Sequence, residues 1–130
     1  MKGSNAAYSK RVKDLAEHVK KFAIAQRLLG PDRPVAYEDL VTYFKVHLPE
    51  RTSWVICRFY FGSRHLFVSV PLPTDRVQQL APSFVVTLPE KGWAGMALNA
   101  VSDLEKLGDV LAAAYEQQRD IRINMYNYNG

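Results

Sequence analysis

The stretch Trp54-Val55-Ile56-Cys57-Arg58-Phe59-Tyr60-Phe61 constrains this chain more than any other. Apart from the arginine, every residue in it is aromatic, β-branched or cysteine, which marks a strand buried on at least one face. Arg58 interrupts that pattern. A guanidinium keeps its charge and is costly to bury without a partner. Arg58 is therefore either neutralised inside the fold, by an acid such as Glu38 or Asp39, or turned toward something anionic outside it. The run Thr42-Tyr43-Phe44 supplies a second aromatic segment shortly upstream.

Around this strand the hydrophobic periodicity alternates between helix and sheet. Val12, Leu15, Val19, Phe22, Gln26 and Leu29 recur at spacings of three and four, which predicts a helix over residues 8–29 ended by Gly30-Pro31. Phe44, Val46 and Leu48 then alternate with Tyr43, Lys45 and His47, the period of a half-buried strand. Val35–Asp39 reads as a separate short strand or an extended lead-in. Gly62-Ser63-Arg64 joins Trp54–Phe61 to His65–Val70 as an antiparallel hairpin. Asp75–Ala81 reads as a short helical turn, Ser83–Leu88 as a fourth strand closed by Pro89, and residues 90–97 as a loop. Ser102-Asp103-Leu104-Glu105 has the form of a capping box, so a last helix is expected over residues 102–118. The tail 121–130 alternates as an edge strand would, or stays loose. The expectation is an α+β fold in a single domain of 130 residues: an antiparallel sheet of about four strands, over about 35–88, with both terminal helices packed on one face.

Composition excludes several classes of function. The 48% hydrophobic and 23% charged fractions are those of an ordinary globular chain. No run approaches the ~18 apolar residues that a membrane span needs, and Met1-Lys2-Gly3-Ser4-Asn5 lacks the apolar block of a signal peptide. A lone cysteine, Cys57, excludes an internal disulfide and a multi-cysteine zinc site, and fits the core of a cytoplasmic protein. The net charge of +4 is concentrated in the first 30 residues, where Lys2, Lys10, Arg11, Lys13, Lys20, Lys21 and Arg27 face only Asp14 and Glu17. Such a helix is either a solvated face or a surface that tracks phosphates.

Catalytic patterns are missing from the sequence. There is no phosphate-cradling glycine loop and no Glu-x-Lys or Asp-x-Lys pair on a strand of the kind a metal-dependent nuclease uses. His18, His47 and His65 fall on three different elements, without the short spacing of metal ligands. No enzyme activity, metal or cofactor is expected. A binding face fits better. If Phe44, Val46, Leu48, Val55, Cys57, Phe59, Phe61, Leu66, Val68 and Val70 face the helices, then Tyr43, Lys45, His47, Trp54, Ile56, Arg58, Tyr60, His65, Phe67 and Ser69 face away. Aromatic rings interleaved with cations are what sheets use to bind single strands. They are also what protein hot spots use. The candidate binding residues are Tyr43, Lys45, Trp54, Arg58 and Tyr60 on the sheet, with Lys13, Lys20 and Lys21 on the first helix. One slip of register exchanges inner and outer sets.

The order of these segments resembles a known pattern. Val35-Ala36-Tyr37-Glu38-Asp39, Thr42-Tyr43-Phe44-Lys45-Val46, Trp54–Phe61 and the late Ala100-Val101-Ser102-Asp103-Leu104 together look like the C-terminal module of predicted type I and type IV restriction endonuclease-like proteins of bacteria and phages. The resemblance covers roughly residues 12–118, and its most specific element is Ile56–Phe61 with Tyr43-Phe44 upstream. In that family the nuclease centre lies in a separate preceding domain, so the resemblance implies a non-catalytic role beside nucleic acid or restriction machinery. The proline-rich 72–97 region and the tail after Arg119 depart from the pattern. The expected partner is nucleic acid; alternatively a protein partner or a second copy takes the same face.

Overall fold

The computed structural model describes residues 18–40, 42–61 and 66–129, with side chains described up to Ile123 apart from that of Phe61. Helix α1 occupies residues 18–29 of this span, and the expected residues 8–17 lie outside it. Six strands follow: β1 Ala36–Asp39, β2 Tyr43–His47, β3 Val55–Phe61, β4 Leu66–Val70, β5 Val86–Glu90 and β6 Trp93–Leu98. Helix α2, Thr74–Leu80, separates β4 from β5, and a 3-10 turn over Val101–Leu107 leads into helix α3, Gly108–Asn129. The strands form one antiparallel sheet in the order β1-β2-β3-β4-β6-β5. The fold is α+β, with a larger sheet than the expected four strands.

The inner row lies where alternation placed it. Phe44 pairs with Phe59 and Val46 with Cys57 across β2 and β3, and Phe59 pairs with Val68 across β3 and β4. All five are fully buried. Ala25 and Leu29 of α1, Leu104 and Leu107 of the 3-10 turn, and Val110, Leu111, Ala114 and Tyr115 of α3 join them in one apolar cluster. The charged periphery ties the helices to this core: Arg33 Nε donates to Glu116 at 2.8 Å, and Arg27 pairs with Glu105.

Four expectations are corrected. The supposed loop 90–97 holds most of β6, which inserts between β4 and β5. Its pattern was hidden by Gly92 and Gly95, yet Ala94, Met96 and Leu98 alternate inward and are buried. Pro89 lies inside β5 rather than closing it. That strand is the sheet edge, where a missing donor costs little, and its register slips between Thr87 and Glu90. The tail 121–130 is neither loose nor a strand through Asn129, because α3 continues as helix to that residue. The last helix is also not capped by Ser102. The Asp103 carboxylate accepts the backbone N–H of Asn99 at 2.9 Å and of Ala100 at 3.3 Å, so the turn begins two residues earlier.

Those amide donors, Asn99 first, hold the Asp103 carboxyl below the ordinary carboxylate range. A group with a depressed folded pKa contributes stability above its unfolded pKa and loses it as pH falls through the folded value. Wild type should therefore lose more stability than Asp103→Asn between neutral and acidic pH, as read by urea unfolding. Equal losses in the two proteins would refute the cap.

Candidate functional site

The register of β2, β3 and β4 decides which side chains meet on the outer face. Tyr43 pairs with Tyr60, and Tyr60 with Phe67. Their rings form a row across the three strands, with centroids 5.4 Å and 6.0 Å apart. A second row runs parallel to it. Glu38 pairs with Lys45, Lys45 with Arg58, Arg58 with Ser69, Ser69 with Gly95 and Gly95 with Thr87. Backbone alternation puts the two rows on one face because each strand contributes adjacent outward positions.

Arg58 is both neutralised and turned outward. Its guanidinium lies 3.9 Å from the Trp93 ring centroid and 5.3 Å from that of Tyr43, a cation–π arrangement between two strands on either side of it. Nη1 donates to Glu90 Oε1 at 3.0 Å. The acid is thus neither Glu38 nor Asp39. Glu38 lies 3.6 Å from Lys45 Nζ, and Asp39 is held by His18 Nδ1 at 3.0 Å. Arg58 Nε is shielded from solvent and finds no hydrogen-bond acceptor. An unmade bond of this sort costs about 1–3 kcal/mol. Beside the guanidinium opens a cleft of about 240 Å³, lined by Arg58, Tyr60, Phe67, Ser69, Pro89, Glu90 and Trp93.

Two glycines shape that cleft. Gly92, at φ +84°, supplies the left-handed residue of the Lys91-Gly92 turn that returns β5 into β6 and brings Glu90 opposite Trp93. Gly95 makes room for Phe67: a Cβ there would stand 2.2 Å from the Phe67 Cζ. Trp93 was missed from the sequence because its segment reads as a loop. The signal that finds it is the two-residue Lys91-Gly92 turn followed by Ala94, Met96 and Leu98 at period two.

Not all of the expected site residues come together. Tyr43, Lys45, Arg58 and Tyr60 share the outer face, whereas Trp54 does not. Val46 pairs with Cys57 but His47 with Val55, so Ile56 is an extra residue in β3. This β-bulge reverses the alternation beyond it. Ile56 is fully buried in the core cluster, and Trp54 packs near α3, with Arg122 Cζ 5.0 Å and Arg51 Cζ 5.5 Å from its ring. His47 is buried rather than outward, its Nδ1 2.7 Å from the Leu48 carbonyl oxygen. Lys20 and Lys21 lie on α1, where Lys21 is largely buried, apart from the outer-face rows. Lys13, His65 and the side chain of Phe61 fall outside the described residues.

Chemistry beyond binding finds little here. Burial pushes the Cys57 thiol up, away from the thiolate a nucleophile needs. Among the described residues no group of three or more histidine, cysteine or acidic side chains is placed to hold a metal ion, and no helix is long and apolar enough to cross a membrane. Comparison with protein-family models, with curated proteins and with solved structures returned no match to this chain.

Proposed function

We propose that the protein is a non-catalytic nucleic-acid-binding module that takes a single strand across the outer face of its sheet, in the restriction or phage-defence setting that the resemblance implies. The observation that carries this reading is the row Tyr43, Tyr60, Phe67, with Arg58 and Lys45 in the row beside it. Stacking a base on a ring is worth about 1–3 kcal/mol and tolerates any sequence. Each cation of the face is held by a carboxylate, so a phosphate must replace that carboxylate. Pairs near the surface are worth only about 0–1 kcal/mol, and Glu90 is 55% exposed. The exchange is cheap compared with the stacking gained.

The test is a salt titration of binding to single- and double-stranded oligonucleotides. Affinity for the single strand should be higher and should fall steeply from low to moderate salt. Arg58→Ala and Tyr60→Ala should each weaken it by about tenfold, in line with the loss of one stacked ring or one phosphate contact. Absence of binding at low salt removes the proposal. An effect confined to Lys20→Ala and Lys21→Ala moves the site to α1.

The charge balance of the same face favours a second reading. Glu38 with Lys45 and Glu90 with Arg58 leave the rows near neutral, and tyrosine, tryptophan and arginine are the residues of protein hot spots. In this reading the face docks a protein partner or a second copy. A stable dimer in light scattering, lost in Tyr60→Ala, supports it over nucleic acid.

A further inference from the structure

We infer that Glu90 holds the place of a ligand phosphate on Arg58, so that the cleft beside it is a phosphate-and-base subsite entered by exchange. The inference rests on the nucleic-acid reading and assigns it a position and a built-in competitor. Four observations lead to it. Arg58 is fixed between Trp93 and Tyr43, so its guanidinium is already oriented for planar recognition of an oxyanion. Glu90 meets only one of its nitrogens, Nη1, while the shielded Nε has no acceptor. Glu90 stands at the end of β5 beside the Lys91-Gly92 turn, the more exposed partner of the pair, where a rotamer change releases it without disturbing the core. The cleft beside the pair has the Tyr60, Phe67 and Trp93 rings in its walls and Ser69 in its lining, apolar surface for a base next to a cation for its phosphate.

A carboxylate and a phosphodiester compete for the same donors, but the phosphate brings a stacked base with it. The wild-type protein therefore binds more weakly than its rings and cations allow, and removing the Glu90 charge should strengthen binding. This sign separates the idea from a purely structural ion pair, whose loss would leave binding unchanged or lower it.

The experiment uses a fluorescein-labelled oligothymidylate of about twelve nucleotides, a length within the range of one ring-lined sheet site. Anisotropy titrations at low and moderate salt compare wild type, Glu90→Gln, Glu116→Gln and the double variant Arg58→Ala/Glu90→Gln against Arg58→Ala. Glu116 lies on α3, away from the cleft, and pairs with Arg33, so its variant reports the general effect of deleting one negative charge. Glu90→Gln is expected to tighten binding by about three- to tenfold, with little gain in Glu116→Gln and none when Arg58 is already alanine. Unlabelled thymidine monophosphate as competitor separates a free nucleotide from a strand: displacement at matched nucleotide concentration assigns the subsite to single nucleotides, and its failure assigns it to the polymer. Wild-type binding that is unchanged or weakened by Glu90→Gln, or an equal gain in Glu116→Gln, overturns the inference while leaving the proposed function standing. If neither wild type nor Glu90→Gln binds at low salt, the proposed function falls and the subsite with it. Thermal unfolding of each variant shows whether the sheet is intact.

Discussion

Replacing Phe59 with alanine is expected to lower the free energy of unfolding by about 3–5 kcal/mol, the range for truncating a fully buried phenylalanine. Phe59 sits in the middle of the inner row, paired with Phe44 on one side and Val68 on the other, with the Phe44 ring centroid 6.5 Å away. The loss has two parts. Apolar area no longer leaves water on folding, and the surrounding strands cannot close over the void because the sheet holds their spacing. A domain of this size has only about 5–15 kcal/mol to lose. The neighbouring substitution, Tyr60→Ala, removes a side chain of similar size from the other face. It should cost only about 1–2 kcal/mol, since Tyr60 is half-buried and its partners are two neighbouring rings. Urea unfolding of the two variants measures the difference directly. Equal costs would mean that the faces of β3 are wrongly assigned.

The second large effect is expected at Gly95. An added Cβ meets Phe67 Cζ at 2.2 Å and Cε1 at 2.9 Å, closer than atoms of these types approach without displacement. Phe67 is on the outer face and half-buried, so its ring can leave, but only by giving up its contact with Tyr60. Gly95→Ala should therefore cost about 1–3 kcal/mol, as overpacking does, and should also weaken oligonucleotide binding by breaking the ring row. The cost should be smaller in a Phe67→Ala background, where nothing stands in the way. A double-mutant cycle measures the coupling, for which contacting residues give about 0.5–3 kcal/mol. Strict additivity would show that the ring does not rest on Gly95. Together the two experiments separate the chemistry of the two faces: Phe59 holds the fold, whereas Gly95 and Phe67 shape the cleft.

The other end of β3 carries a separate cluster. Glu50 accepts a hydrogen bond from Arg119 at 2.7 Å, which holds its carboxyl below the ordinary carboxylate range, and Arg119 also donates to the Tyr115 hydroxyl. Gln118 Nε2 donates to the Val55 carbonyl at 2.8 Å, just where the bulge leaves the β2–β3 ladder irregular. The Gln118 contact fastens α3 to the strand that bears Arg58, and the Arg119 pair fastens it to the loop before that strand.

Much of the architecture is legible in the residues because it depends on local periodicity. The alternation of Phe44 with Val46 and the run through Cys57 and Phe59 each need only their own spacing to show which side is buried. The helix stripe is only partly right: Phe22 and Leu29 pack on the core, Val19 and Gln26 are exposed, and Ala25 takes the buried place expected of Gln26. The outward set Tyr43, Lys45, Arg58 and Tyr60 follows from the same alternation. β6 was illegible because Gly95 removes one side chain from its pattern, and that absence has meaning only once Phe67 is known to lie above it. Trp54 was misplaced because a bulge is a relation between two strands, and the β3 residues look the same with or without it.

Arg58 shows where the boundary lies. The sequence alone determined that a permanent charge stands in a buried strand and needs an anion, because no arrangement of the chain removes the cost of desolvating a guanidinium. Only the tertiary structure decided that the anion within the chain is Glu90, 32 residues away on the sheet edge, and that Trp93 and Tyr43 flank the guanidinium. That choice depends on the strand order, which returns β6 alongside β4 and leaves β5 at the edge of the same sheet. It depends equally on a two-residue turn that sets Glu90 opposite Trp93, and neither is written in the neighbourhood of Arg58.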